Sequence, residues 1–370
     1  MVPTPAAAQP LAQPPRYDRA TWADVPGWGV ESIADAWPAW LRSCNALRQQ
    51  PVWQRVCADA TAIGRADRDL QRRYFEANFT PYRLANADGT QSGLVTGYYE
   101  PLLQGSRKRT PRFKYPLHGP PPDLVAVDIG ETNPELKDRR VRGRIVAGNQ
   151  GGKLVPYYAR ADITNGTAPV KGREIAWVDD PVELFFLQVQ GSGRVRLPDG
   201  SVMRVGYADH NGHPYRSIGR WLVDNGELTI DQASMQGIKA WVKRNPQRAN
   251  ELFNQNPAYV FFREMPMTNA DEGPVGSLGI ALSPGASIAV DPRVIPLGAP
   301  VFLATTWPLS TRPLNRLMVA HDTGSAIRGA VRADFFWGFG PEAAEQAGRM
   351  KQSGAMWMLW PNGEPLPAEN

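Results

Sequence analysis

Apolar residues recur every three to four positions between about residues 32 and 79 and mostly alternate beyond residue 93. The spacing predicts a helix over 32–48 (SIADAWPAWLRSCNALR), with Ser32 as its cap and Ile33, Trp37, Trp40, Leu41 and Leu47 along one stripe. Pro38 falls inside that stretch and is expected to kink or break it. Helical spacing continues over 50–63 and 66–78, where Leu70, Tyr74, Phe75 and Phe79 align.

Near residue 93 the pattern changes. LVTGYYEPLL alternates and is rich in β-formers, and RIVAG, KLVPYYA, EIAWV and ELFFLQVQG follow as short apolar runs between turn residues. RVRLPDGSVMRV reads as a hairpin turning at Pro198-Asp199-Gly200. A β-domain of short strands is therefore expected over roughly 100–215. Met235, Ile238, Trp241 and Val242 predict a helix over 232–245, and a shorter one is expected over 247–255. β character then returns in YVFFREM, GIALSPGASIAVDPRVIPLGAPVFLAT and RLMVAHDTGSAI. Gly and Pro interrupt these strands so often that a small, strongly curved barrel suits them better than a flat sheet. A last helix over 341–351 opens on Pro341, and AMWMLW reads as a final strand.

Composition agrees with a β-rich chain. Gly and Pro number 35 each among 370 residues, a length that suggests two or three domains. The formal net charge of +5 suits an anionic partner without choosing one. No apolar stretch approaches the ~20 residues of a membrane span. Residues 1–20, rich in Pro and Ala, read as the unstructured leader of a mature exported protein. Cys44 and Cys57 are either a disulfide between consecutive helices or two buried thiols.

The familiar motifs are missing. The four histidines show neither HExxH nor a partner CxxC, so no metal site is expected. No phosphate loop, dinucleotide fingerprint or serine elbow occurs. Basic residues are scattered or lie in loops such as RKRTPR, which does not fit a nucleic-acid module. Carboxylates remain. Asp322 ends the run RLMVAH, and Asp334 stands between Arg332 and the aromatics Phe335, Phe336 and Trp337. Aromatic neighbours take a carboxyl out of water and raise its pKa, as a proton donor needs; an inward-pointing Arg332 would oppose that. Taken alone, both aspartates read equally as turn residues bonding local amides. Tyr98, Tyr99, Glu100, Gln188, Gln190, Tyr207, Asn211, Tyr215, Trp337 and Trp357 supply the flat faces and polar groups of a carbohydrate groove, although aromatics more often pack in cores. Gln188 and Gln190, read on a strand, project to one side.

TGYYEPLLQGS (96–106), FFLQVQGSGRVRLPDGS (185–201), YADHNGHPYRSIGRWLV (207–223), GSLGIALSPGASIAVDPRVIPLGAPVFL (276–303) and HDTGSAIRGAVRADFFWGFGPEAAEQAGRM (321–350) together resemble the membrane-bound lytic transglycosylase A family of murein-degrading enzymes. The resemblance implies a mainly β fold with accessory helices. A double-psi β-barrel would be built from 21–95 and 232–370, and a second small β-barrel inserted over 96–231, with a groove between them. The stretch 276–345 resembles the "three-aspartate" (3D) domain, here Asp291, Asp322 and Asp334. By resemblance, Asp334 is the sole acid–base and Asp322 supports it; the candidate glycan contacts are Tyr98, Tyr99, Glu100, Gln188, Gln190, Gly191, Ser192, Asn211, Tyr215, Thr323, Gly324 and Trp337. Ser325 departs from the family pattern in a tolerant loop. The reaction implied is cleavage between N-acetylmuramic acid and N-acetylglucosamine with formation of a 1,6-anhydro end, without a cofactor. The partner implied is the peptidoglycan strand, and the place the periplasm, with outer-membrane attachment left open and a monomeric state expected. A non-catalytic peptidoglycan-binding module, an endoglucanase-like hydrolase and an expansin-like wall loosener stay open as alternatives.

Overall fold

The computed structural model describes residues 16–29, 33, 35–64, 67–130, 140–148, 151–267, 272–324 and 326–367. Ser32, Ser325 and the first fifteen residues of the expected leader lie outside the described residues. The rest of that leader is ordered: Arg16–Arg19 is a strand paired antiparallel with Phe79–Ala85. The chain forms two compact units. One comprises Met1–Tyr98, Val275–Gly338 and Arg349–Asn370, the other Tyr99–Pro274 and Phe339–Gly348.

In the first unit three helices, Ala36–Leu47, Pro51–Ile63 and Arg68–Asn78, precede the sheet. Pro38 does not break the first of them. It sits in the opening turn, where a helix has no partner for the backbone N–H that proline lacks. A disulfide joins Cys44 and Cys57 across the first two helices. Trp40, Trp53, Phe75 and Phe79 are almost fully buried with Ile288, Val301, Phe335 and Met358 of the sheet in one core. Burying a side chain of that size stabilises by about 1.5–3 kcal/mol.

The sheet closes on itself. Pro300–Thr306, Pro313–Asp322, Ser287–Ala289, Ala333–Phe339 and Gly93–Glu100 follow one another as neighbours. The long strand Lys351–Pro361 pairs with Pro300–Thr306 along one edge. Along its other edge it pairs first with Gly93–Glu100 and then with Phe79–Ala85. Six strands thus complete a ring that includes one parallel pair, Ser287–Ala289 with Pro313–Asp322.

The second unit holds a six-stranded sheet in the order Val260–Met265, Val202–His210, Ser192–Arg196, Leu102–Ser106, Glu174–Val178, Tyr115–His118, and a separate three-stranded sheet. The hairpin turns at Gly200 with φ of 87°, as its sequence requires. One expectation is corrected. ELFFLQVQ is not a strand but lies within the helix Pro181–Gln190, so Gln188 and Gln190 leave it in different directions. Local chemistry explains it: Asp180 caps the amides of Val182 and Glu183, Pro181 fits the first turn, and Gly191 ends the helix with φ of 79°. The unit runs to Pro274, past residue 231, because Ile238, Trp241 and Leu252 pack on Phe185 and Phe186, and Val260–Met265 pairs with Val202–His210.

Candidate active site

Alternation sorts the residues of Ala333–Phe339. Ala333 and Phe335 enter the main core and Trp337 packs against it. Asp334 and Phe336 face the other way, where Phe336 joins a small cluster with Tyr98, Leu282, Ala289 and Ile327. Register then gathers the aspartates. Ala289 pairs with Asp334 on one side and with Asp322 on the other. Two inter-strand spacings separate the aspartate backbones, roughly 9–10 Å, and Ala289 puts only a methyl group between them.

Gly93–Glu100 completes the arrangement. Val95 points into the core, so Thr96 and Tyr98 share the opposite face. A side chain at Gly93 would put its Cβ 1.7 Å from the Val331 carbonyl oxygen, so only glycine lets the strand approach the segment leading into Asp334. Thr96 Oγ1 donates to Asp334 Oδ1 at 2.6 Å and accepts from Arg332 Nη2 at 2.9 Å. The Arg332 guanidinium also donates to the carbonyls of Leu94 and Ala333. Burial pushes the Asp334 carboxyl up to about 6, against the Thr96 hydrogen bond and the Arg332 charge, which pull it down, and with a smaller upward push from Asp322.

Asp322 is held differently. Its Oδ1 accepts from the Ser277 amide at 3.0 Å and the Ser277 hydroxyl at 2.9 Å, and its Oδ2 accepts from the Tyr98 hydroxyl at 3.2 Å. Burial raises its pKa, while these bonds and the Thr323 amide oppose the rise. Gly276 makes the Ser277 contact possible, since a Cβ there would stand 2.6 Å from the His321 carbonyl oxygen. The Thr323 hydroxyl lies 2.8 Å from that of Ser277. Asp291 is fully buried. Burial alone would raise it, but the Arg293 side chain and the amides of Gly329 and Arg293 outweigh that and hold it down at about 2. It is thus a fixed anion bracing the 329 loop.

Of the residues singled out by sequence, Asp334, Asp322, Tyr98, Thr323, Gly324 and Trp337 lie in this unit. Trp337 is on the core side of its strand, its ring tilted against those of Phe335 and Trp307, and does not share Asp334's face. Tyr99, Glu100, Gln188, Gln190, Gly191, Ser192, Asn211 and Tyr215 belong to the second unit. Glu100 is fully buried there, bonded by Arg194 Nε at 2.8 Å and Arg204 Nε at 3.1 Å. Asn211 is also buried, its amide donating to the carbonyls of Tyr158 and Pro257 and accepting from Tyr259. Both residues thus hold the fold rather than present free polar groups. Gln188 is buried, and Gln190 accepts from the Tyr99 amide at 3.2 Å. Tyr215 is exposed. Thr96 and Ser277, which bond the two aspartates, are not among the residues singled out by sequence. Thr96 shares Tyr98's face at a spacing of two, which was the available signal; nothing in the sequence ties Ser277 to Asp322.

Residues 94–263 match the MltA specific insert domain, and residues 286–360 match the 3D domain. The membrane-bound lytic murein transglycosylase A of Escherichia coli (strain K12) is 33% identical over 285 residues, covering 75% of this chain and 68% of that protein. The crystal structure of MltA from Neisseria gonorrhoeae in its monoclinic form is similar over 98% of this chain and 97% of that one, with 40% identity and a TM-score of 0.80. E. coli MltA with bound chitohexaose is similar over 95% of each chain, with 26% identity and a TM-score of 0.72.

Proposed function

Because this chain belongs to the membrane-bound lytic murein transglycosylase A family and is a peptidoglycan lytic transglycosylase, we propose that Asp334 is the one group that gives and reclaims the proton in its reaction. The observation that carries this reading is a carboxyl raised to about 6 by burial, on a strand face shared with Thr96 and Tyr98 rather than in the core.

The protonated Asp334 donates to the oxygen that links N-acetylmuramic acid to N-acetylglucosamine, and the bond from that oxygen to C1 breaks. The 6-hydroxyl of the same muramoyl ring attacks C1 and closes the 1,6-anhydro bridge. Its proton passes to the Asp334 carboxylate, which restores the acid. No water is consumed, and the tethered hydroxyl supplies by proximity what a second carboxylate supplies in a hydrolase. Asp322 is poorly suited to activate water, because Ser277 and Tyr98 occupy its oxygens. It supports the site by holding the Tyr98 phenol.

The unit that carries Asp334 acts as the catalytic domain, and its six-stranded ring is read as a double-psi β-barrel. Gln190, Ser192 and the exposed Tyr215 are the second unit's candidates for glycan contact. The enzyme is read as a monomer of the periplasm, with outer-membrane attachment left open; the "membrane-bound" names of the relatives and the Cys44–Cys57 disulfide support an envelope location. Incubation with purified sacculi tests the reading: mass spectrometry should find anhydromuropeptides with the parent enzyme and none with Asp334→Asn. Reducing ends in their place would overturn the mechanism.

A further inference from the structure

We infer that Arg332 and Thr96 are positioning residues that keep the proton of Asp334 on Oδ2 and fix the direction in which that acid points. The inference deepens the reading of Asp334 as the acid–base and rests on it. The argument is one of donors and acceptors. A guanidinium has only donors, so Thr96 must turn a lone pair toward Arg332 Nη2. The threonine hydroxyl proton then points at its other close neighbour, Asp334 Oδ1, 2.6 Å away. That oxygen is committed as an acceptor in both charge states. The titrating proton therefore resides on Oδ2, and the carboxyl plane is held by a bond that survives the proton's departure and return. Arg332 is itself fixed by the carbonyls of Leu94 and Ala333, so the chain of contacts is anchored to the backbone at its arginine end.

Within this unit the charged or titratable groups that bear on Asp334 are Arg332, Asp322 from the neighbouring strand pair and Tyr98 from the Gly93–Glu100 strand. Arg332 and Thr96 both favour the ionised carboxyl, whereas Asp322 opposes it. Removing either of the first two therefore raises the pKa, and the basic limb of the pH–rate profile moves to higher pH.

The test is the pH dependence of anhydromuropeptide release by the full chain carrying Thr96→Val, Thr96→Ser, Arg332→Gln or Arg332→Lys, with Asp334→Asn as control and folding checked by circular dichroism. For Thr96→Val and Arg332→Gln the basic limb should move up by about one pH unit. Their kcat on the acid plateau should fall about tenfold with KM little changed, because a mispointed acid costs rate rather than binding. Thr96→Ser and Arg332→Lys, which keep the hydroxyl and the charge, should retain the parental midpoint. Should one variant not fold, the other carries the test, supplemented by a carbon-13 NMR titration of Asp334 in the serine and lysine variants, whose midpoints should match the parent. An unmoved basic limb in the folded variants, with Asp334→Asn inactive, overturns the inference and leaves the acid–base reading standing. Full activity of Asp334→Asn overturns the acid–base reading itself.

Discussion

Consider Asp334 replaced by asparagine, beside a pH titration of the parent enzyme. Burial raises the Asp334 carboxyl from 3.8 to about 6. At that value the acid is roughly nine-tenths protonated at pH 5 and about one-tenth at pH 7, so the rate of anhydro-end release should fall about tenfold between them. An unshifted carboxyl would be only about 6% protonated at pH 5, and its rate would already be falling by pH 4. Asparagine has no proton to give, and the loss expected for a general acid is about 10²–10⁴-fold at every pH. Stability offers an independent reading. The folded-state pKa of Asp334 lies above the unfolded one, so the stability linked to its proton is complete below about pH 3.8 and lost as pH rises through about 6. Asparagine, always neutral, loses nothing over that range. The variant should therefore melt close to the parent at pH 3.5 and increasingly above it between pH 4 and pH 6. The assays are muropeptide release from sacculi by chromatography with mass detection, and thermal melts by circular dichroism. A rate that is flat from pH 5 to pH 7, together with an asparagine variant that never out-melts the parent, would refute the claim of a buried, proton-bearing carboxyl.

Three further outcomes are expected. In water enriched in oxygen-18, products should carry no excess label, since the 6-hydroxyl and not solvent attacks C1; a labelled reducing end would make Asp322 a base after all. Glu100→Gln should destabilise the chain by about 3 kcal/mol in urea unfolding, because it leaves the buried Arg194 and Arg204 without their anion; an unchanged unfolding midpoint would mean that the pair of contacts is dispensable. Replacing Cys44 and Cys57 together by alanine should cost about 3 kcal/mol of stability, by the chain-entropy argument for a 13-residue separation, while the specific activity of the folded fraction persists; a melt indifferent to both the double variant and reductant would contradict this.

Much of the protein is legible from local pattern. The stripe through Trp37, Trp40 and Leu47 builds the first helix, and the turn at Gly200 sets the hairpin. The motifs around residues 96–106 and 321–350 are long enough to carry the family. Asp334 is marked in the sequence by its place in the 321–350 motif; of its aromatic neighbours only Phe336 shares its face in the folded strand, while Phe335 and Trp337 turn to the core side. Where local signals conflict, the apolar run misleads: ELFFLQVQ has the composition of a short strand, yet Asp180, Pro181 and Gly191 cap it as a helix.

The amino-acid order thus determined most elements, the turns and the family, because periodicity, capping and contiguous motifs act within a few residues. Tertiary structure alone decided that Ala289 would pair with both aspartates, that Thr96 would meet a carboxyl 238 positions away, and that Glu100 and Asn211 would be locked inside. Those outcomes depend on which strands become neighbours and in what register. Closing the ring at Lys351–Pro361 sets both, through the summed packing of residues far apart in the chain.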